Sequence, residues 1–250
     1  MKAMIFDVDG TLADTERDGH RVAFNLAFEE AGLDWSWSEA LYGELLEVTG
    51  GKERIRHFIE KKNPTVPEVQ DLAAWIAGLH ASKTKHFVAL MEAGKIPLRS
   101  GVKRLLTEAH EAGVPLAIAT TTTPQNVSAL LNNALFEGAE SWFEVIGAGD
   151  IVPAKKPAPD IYDYVMEQMG LKPEECIAFE DSSNGIRSSR AANLKTIVTI
   201  NGYTADEDFS EAALVLDQMG EEDDPCKVLQ GEDAEKSCLD LEWVRKVWES

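Results

Sequence analysis

At 250 residues, 44% of them hydrophobic and 27% charged, the chain is long enough to bury a full core, as one large domain or as a core with an accessory domain. Its formal net charge of −20 at pH 7 repels nucleic acid and anionic membranes at long range, so neither is expected as a partner, and an anionic small substrate would need a metal and a few placed Lys or Arg side chains. Cys176, Cys226 and Cys238 are few, odd in number and far apart, which argues against a disulfide scaffold and for a reducing compartment.

The first apolar run, Lys2–Phe6, shows no alternation, which predicts a strand covered on both faces. Met1 leads straight into it without a basic-then-apolar leader, and no later stretch approaches the length of a membrane span. Between Thr15 and about Gly94 no strand pattern occurs. Helical spacing recurs there in Phe24, Ala27, Phe28 and Ala31 and in Ile55, Phe58 and Ile59, with Gly32 and Gly50 as helix ends and Pro64–Pro67 as a loop. Beyond it, helices and buried strands alternate: Val102–Ala112, strand Val114–Ala119, Pro124–Leu135, strand Glu144–Ala148, Asp160–Met169, strand Cys176–Phe179, Asn184–Ala192, strand Thr196–Ile200. That rhythm predicts an α/β fold, a Rossmann-like parallel sheet core with an inserted all-helical cap. After Asp217 the chain turns acidic and irregular through Glu221–Pro225, and Leu239–Trp248 reads as a terminal amphipathic helix that docks on the core. The expected division is 1–14 and 95–217 for the core, 15–94 for the cap and 218–250 for an acidic C-terminal tail.

The strongest chemical signal is Asp7-Val8-Asp9-Gly10-Thr11, where the first strand ends. Residues two apart in a strand face the same way, so both carboxylates should project above the carboxyl edge of the sheet, where open parallel sheets place ligands. Two close anions are costly there, and a bound cation offsets their repulsion. Gly10 allows a tight turn and Thr11 adds a hydroxyl. A lone D-x-D is commonly only a polar strand exit, but Gly-Thr after it and Met-Ile-Phe before it weaken that reading.

Three further strand ends contribute. Thr120, with the backbone amides that follow it from Thr121 to the helix at Pro124, suits a phosphoryl oxygen, although a Thr run alone is usually just a helix-capping segment. Lys156 lies in Lys155-Lys156-Pro157-Ala158-Pro159-Asp160, where the prolines stiffen the approach and Asp160 can cap the next helix. Glu180-Asp181 is a second carboxylate pair. Magnesium takes oxygen ligands, so Asp7, the carbonyl of Asp9 and Asp181, with Glu180 beside it, form a candidate Mg2+ site. In the inserted segment the candidate substrate ligands are Glu16, His20, Tyr42 and Gly50-Gly51-Lys52-Glu53-Arg54. The glycines before Lys52 and Arg54 could offer amides and two cations to a second phosphate at a helix start, or this could be a helix beginning with ordinary surface charges.

In order, Asp7 to Thr11, Thr120, Lys156 and Glu180-Asp181 resemble the four motifs of the haloacid dehalogenase superfamily, over residues 1 to about 217. The aspartate at position 9 resembles its phosphotransferase branch. The resemblance implies Mg2+, attack by Asp7 on phosphorus, and Asp9 as general acid and then base, with Thr120 and Lys156 as further catalytic residues. Asp14-Thr15-Glu16, His20-Arg21, Leu41-Tyr42-Gly43-Glu44 and Gly50 to Ile55 are similar to the CbbY-type phosphatases of carbon-fixing organisms. Those act on xylulose-1,5-bisphosphate, an inhibitory by-product of Rubisco. This implies Glu16 and Tyr42 on sugar hydroxyls, Lys52 and Arg54 on the distal phosphate, and His20, Gly51 and Thr121 among the substrate ligands. It also implies a cytoplasmic location for a bacterial source and the plastid stroma for a plant or algal one. A monomer is expected. The additional residue within Glu16–His20 and the longer acidic tail depart from the bacterial pattern. Rival readings are a β-phosphoglucomutase-like phosphotransferase, a broad sugar-phosphate phosphatase and, outside enzymes, a phospho-aspartate signalling module.

Overall fold

A computed structural model describes all 250 residues. Strands β1 (Ala3–Phe6), β2 (Leu116–Thr120), β3 (Phe143–Ala148), β4 (Cys176–Glu180), β5 (Lys195–Thr199), β6 (Leu214–Leu216) and β7 (Val228–Gln230) form one sheet in the order β3-β2-β1-β4-β5-β6-β7. All neighbours are parallel except β6 and β7, which are antiparallel. The interior strand β1 pairs Phe6 with Ile118 of β2 and with Phe179 of β4, which brings the ends of these strands level.

The unalternating runs of the sequence reflect cover on both faces. Met4 and Phe6 join an apolar cluster with Ile118, Phe179, Leu106 and Trp243; Ala3 and Ile5 point the other way, into a cluster with Ile161, Tyr162 and Val165. The helices on the sheet are α5 (Val102–Glu111), α6 (Pro124–Leu130), α7 (Asp160–Met169) and α8 (Ser183–Ala191), and α9 (Leu241–Glu249) closes the chain. The cap comprises α1 (Arg21–Glu30), entered through a π-helical turn at Glu16–His20, then α2 (Glu39–Leu45), α3 (Gly51–Lys62) and the 21-residue α4 (Leu72–Glu92). No strand lies in this segment. It has its own aromatic cluster of Phe24, Phe28, Trp35, Trp37, Tyr42 and Phe58. Burying each such ring contributes about 1.5–3 kcal/mol, enough to hold the helices together without a sheet.

Three features differ from the sequence reading. β6 and β7 were not expected, because three-residue strands show no period, and β7 brings part of the acidic tail into the sheet. The long α4 lies within the segment expected to be helical but shows no clean period of its own, since Lys83 interrupts its buried stripe of Ile76, Leu79, Phe87 and Met91. Asp160 is the first residue of α7 and not its cap. The expected terminal helix does dock on the core, with Trp243, Val244 and Val247 buried. No helix is long and apolar enough to cross a membrane.

Candidate active site

Asp7 leaves β1 with its amide donating to the Phe179 carbonyl at 3.0 Å, so its side chain emerges at the carboxyl edge of the sheet. There Lys156 Nζ donates to Asp7 Oδ1 at 2.7 Å and to Glu180 Oε1 at 2.6 Å, all three side chains being buried. The Tyr162 hydroxyl donates to the same Glu180 oxygen at 2.5 Å, and Glu180 Oε2 has no partner. Asn201 Nδ2 donates to Asp181 Oδ2 at 2.7 Å, and the Asn201 side-chain oxygen accepts the Tyr203 amide at 2.9 Å. Two close approaches explain nearby glycines: a Cβ on Gly10 (φ +86°) would collide with Asp181 Oδ2, and one on Gly185 with Glu180 Oε2.

Asp7, Glu180 and Asp181 therefore form a buried carboxylate cluster, with ligand atoms within 4.8 Å of one another. Only one ammonium, Lys156, is bonded within it. Burial pushes Asp7 up to about 7 against the pull of Lys156, with the Glu180 charge adding to the rise. Burial and the charges of Asp7 and Glu180 push Asp181 well above its usual range. Burial also opposes the Lys156 charge, but Asp7 and Glu180 outweigh it and hold the ammonium protonated. Carboxylates crowded to this degree, with an unpartnered oxygen among them, fit a hard divalent cation.

Asp9 borders the same cavity of about 400 Å3 as Asp7, Lys156 and Asp181, but its carboxylate belongs to a second group with Glu16 and His20. Thr15 donates to Asp9 Oδ1 at 2.6 Å, and His20 Nε2 lies 2.8 Å from the same oxygen. Burial opposes ionisation of Asp9, yet the facing His20, the Thr15 hydroxyl and the Lys83 charge hold it well below the usual carboxylate range. His20 is buried, stacks on Phe87 and meets Lys83, so it stands behind Asp9.

Thr120 is buried and borders the cavity with Thr121. From the cap, Tyr42 donates to Glu16 Oε2 at 2.5 Å, and buried Arg54 donates to the Tyr42 oxygen at 2.9 Å. A second cavity of about 390 Å3 shares Asp9, Glu16, Arg54 and Thr121 with the first and adds Gly50, Gly51, Lys52, His80, Lys83 and Lys155. The structure thus brings the candidate site residues to the wall of one or both cavities, except Tyr42 and Glu53, the latter pairing with Lys155. Tyr42 is fully buried behind Glu16.

A family model described as haloacid dehalogenase-like hydrolase matches residues 1–193. The chain belongs to the haloacid dehalogenase-like hydrolases. It is an enzyme of their phosphatase type. It is 48% identical over 225 residues to protein CbbY of Cupriavidus necator, covering 90% of this chain and 88% of that one. It is 44% identical to a CBBY-like protein of Arabidopsis thaliana, over 88% of this chain and 69% of that one. Among solved structures it resembles an aspartate-to-asparagine variant of CbbY from Rhodobacter sphaeroides in complex with xylulose-1,5-bisphosphate. The TM-score is 0.82 and the identity 44%, over 87% of this chain and 94% of that one.

For a phosphatase of this family the geometry adds Lys83, Tyr162 and Asn201 to the residues singled out in the sequence. Tyr162 and Asn201 carry no motif, being single polar residues that meet Glu180 and Asp181 only after folding. Lys83 did leave a signal, as the one charge in the buried face of α4.

Proposed function

We propose that this chain is a Mg2+-dependent phosphatase that converts a sugar bisphosphate, xylulose-1,5-bisphosphate, to xylulose-5-phosphate through a phosphoryl group carried on Asp7. The observation that carries the reading is Asp7 itself, buried at the wall of a polar cavity, bonded by one oxygen to Lys156 and sharing that cavity with Arg54 of the cap. The likeness to the protein solved with xylulose-1,5-bisphosphate supports the substrate.

On this reading a carboxylate oxygen of Asp7 attacks phosphorus in line, and the bond from phosphorus to the sugar oxygen breaks as the new one forms. Asp9 gives its proton to the departing sugar oxygen. Water then attacks the phosphoryl group, Asp9 takes the proton from it, and Asp7 and inorganic phosphate are released. Lys156 and Thr120 hold and neutralise the transferring group. A Mg2+ ion held by Asp7, Asp181 and the Asp9 carbonyl, with Glu180 beside them, would supply charge neutralisation and alignment. Asp9 must gain its proton with substrate bound, since His20 and Thr15 favour its anion beforehand. Glu16, oriented by Tyr42, serves the sugar hydroxyls, while Gly51, Lys52 and Arg54 serve the distal phosphate. His20 acts through Asp9. A monomer in the cytoplasm or plastid stroma would clear this Rubisco by-product.

The test is phosphate release with magnesium across sugar mono- and bisphosphates. Strong preference for xylulose-1,5-bisphosphate is expected. Flat, slow turnover would remove the substrate assignment, and an isomerised sugar phosphate in place of free phosphate would make the enzyme a mutase.

A further inference from the structure

Asp150 follows β3 on the core side of the seam and faces the start of α3 in the cap. Its two oxygens are divided between the halves of the molecule. Oδ2 lies 2.5 Å from Nζ of Lys52 in the cap, and Oδ1 lies 3.0 Å from Nζ of Lys155 in the core. Lys155 also meets Glu53 of the cap at 3.1 Å. Asp150, Lys52 and Lys155 all border the second cavity, whose other carboxylates are Asp9 and Glu16. Those two are engaged elsewhere, Asp9 by Thr15 and His20 and Glu16 by Tyr42. Asp150 is the one carboxylate that meets two of the cavity's three lysines.

The site carries a surplus of positive groups, with Arg54 and Lys83 on the same wall. A carboxylate that accepts from two ammonium groups through separate oxygens does what one face of a phosphate would do there. The side chains of Lys52 and Asp150 are 36% and 60% exposed, so the pair is easily exchanged for a stronger anion.

We propose that Asp150 is a specificity-determining residue: with no second phosphate present it occupies the Lys52–Lys155 pair and joins cap to core, and the distal phosphate of a bisphosphate displaces it. This rests on the reading that the Lys52 region receives that phosphate. A phosphate dianion outcompetes a single carboxylate for the same two cations. With a monophosphate Asp150 stays in place and cancels charges that would otherwise repel across the seam. Its removal therefore acts with opposite signs on the two substrate types, which general damage to the fold would not do.

The experiment measures kcat/KM for xylulose-1,5-bisphosphate and for xylulose-1-phosphate, which lacks only the distal group, in the wild type, Asp150→Asn, Asp150→Ser and Lys52→Ala. Both Asp150 variants should raise the bisphosphate-to-monophosphate ratio about threefold or more, mainly through KM, as expected for exchange of partly exposed ion pairs. Lys52→Ala should lower the ratio. A ratio unchanged or lowered in the Asp150 variants, with Lys52→Ala behaving as expected, overturns the role of Asp150 alone. A ratio unchanged in Lys52→Ala overturns the distal-phosphate reading and the proposal with it.

Discussion

Nζ of Lys83 lies 2.6 Å from Nδ1 of His20, and the other nitrogen of that ring lies 2.8 Å from Asp9 Oδ1. An ammonium only donates, so Nδ1 accepts and the ring proton sits on Nε2, aimed at Asp9. Lys83 thus sets the tautomer through which the cap addresses Asp9, the general acid of the proposed reaction. Lys83→Met is expected to lower kcat about 10- to 100-fold, with a smaller change in KM, because proton transfer loses its oriented partner. Burial depresses Lys83 to about 8. As pH rises through that value the ammonium loses its proton, and kcat of the wild type should fall, while Lys83→Met should lack this alkaline limb. A variant kcat within about twofold of wild type would remove Lys83 from the proton path.

Asp7→Asn should abolish turnover and leave the fold intact, because its amide cannot carry the phosphoryl group. Asp7 is raised to about 7, so near and above neutral pH its ionised form is disfavoured by folding, and the metal-free variant should be at least as stable as wild type. Mg2+ should raise the melting temperature of the wild type through linkage and that of the variant much less. Equal shifts in the two proteins would place the cation elsewhere, and residual phosphatase activity would defeat the covalent scheme.

Much of this arrangement is legible in the sequence because it lies at strand ends. Asp7, Thr120 and Glu180-Asp181 each close or follow an apolar run that can only be a doubly covered strand, and parallel strands bring such ends to one edge. The partners that hold them come from elsewhere. Tyr162 meets Glu180 from the first turn of α7, and Asn201 meets Asp181 from the loop after β5, contacts that no local spacing encodes. Lys83 broke the very periodicity that would have located its helix. Family resemblance points to His20 as a substrate ligand; the fold sets its ring against Asp9. Lys52 pairs with Asp150 across 98 positions of chain, a relation invisible before the seam is built.

His80 provides a test of the cationic wall that does not depend on catalysis. Its ring packs against Gly51 and near Phe24. Burial, aided by the charges of Lys83, Lys52 and Lys155, lowers it to about 3 from an ordinary 6.5. Between these values the unfolded chain binds a proton that the folded chain refuses, so the stability from this group is full above the unfolded value and is lost as pH falls. His80→Gln should therefore lose less stability than wild type on acidification, the difference reaching about 2 kcal/mol near pH 5. Denaturant unfolding of both proteins at neutral and acidic pH measures it. Parallel losses would mean that His80 protonates freely in the folded state.

The C-terminal helix should matter for stability and not for chemistry. Asp240 caps α9 by accepting the Trp243 amide at 2.8 Å, and Trp243 is 1% exposed within the main apolar cluster. Trp248 is tied to the starts of two strands, its ring nitrogen donating to the Glu174 carbonyl and its own carbonyl accepting from Lys195. Those contacts lie at the amino edge of the sheet, whereas Glu180 and Asp7 stand at its carboxyl edge. Trp243→Ala leaves a large cavity that the surrounding helices cannot fill, and should cost about 3–5 kcal/mol. For a chain of this length that is a fall in melting temperature on the order of 10 °C. KM for the sugar phosphate, measured well below the new melting point, should stay at the wild-type value. A raised KM in a variant that is still folded would mean that α9 reaches the site through the sheet, and that the acidic tail takes part in substrate binding.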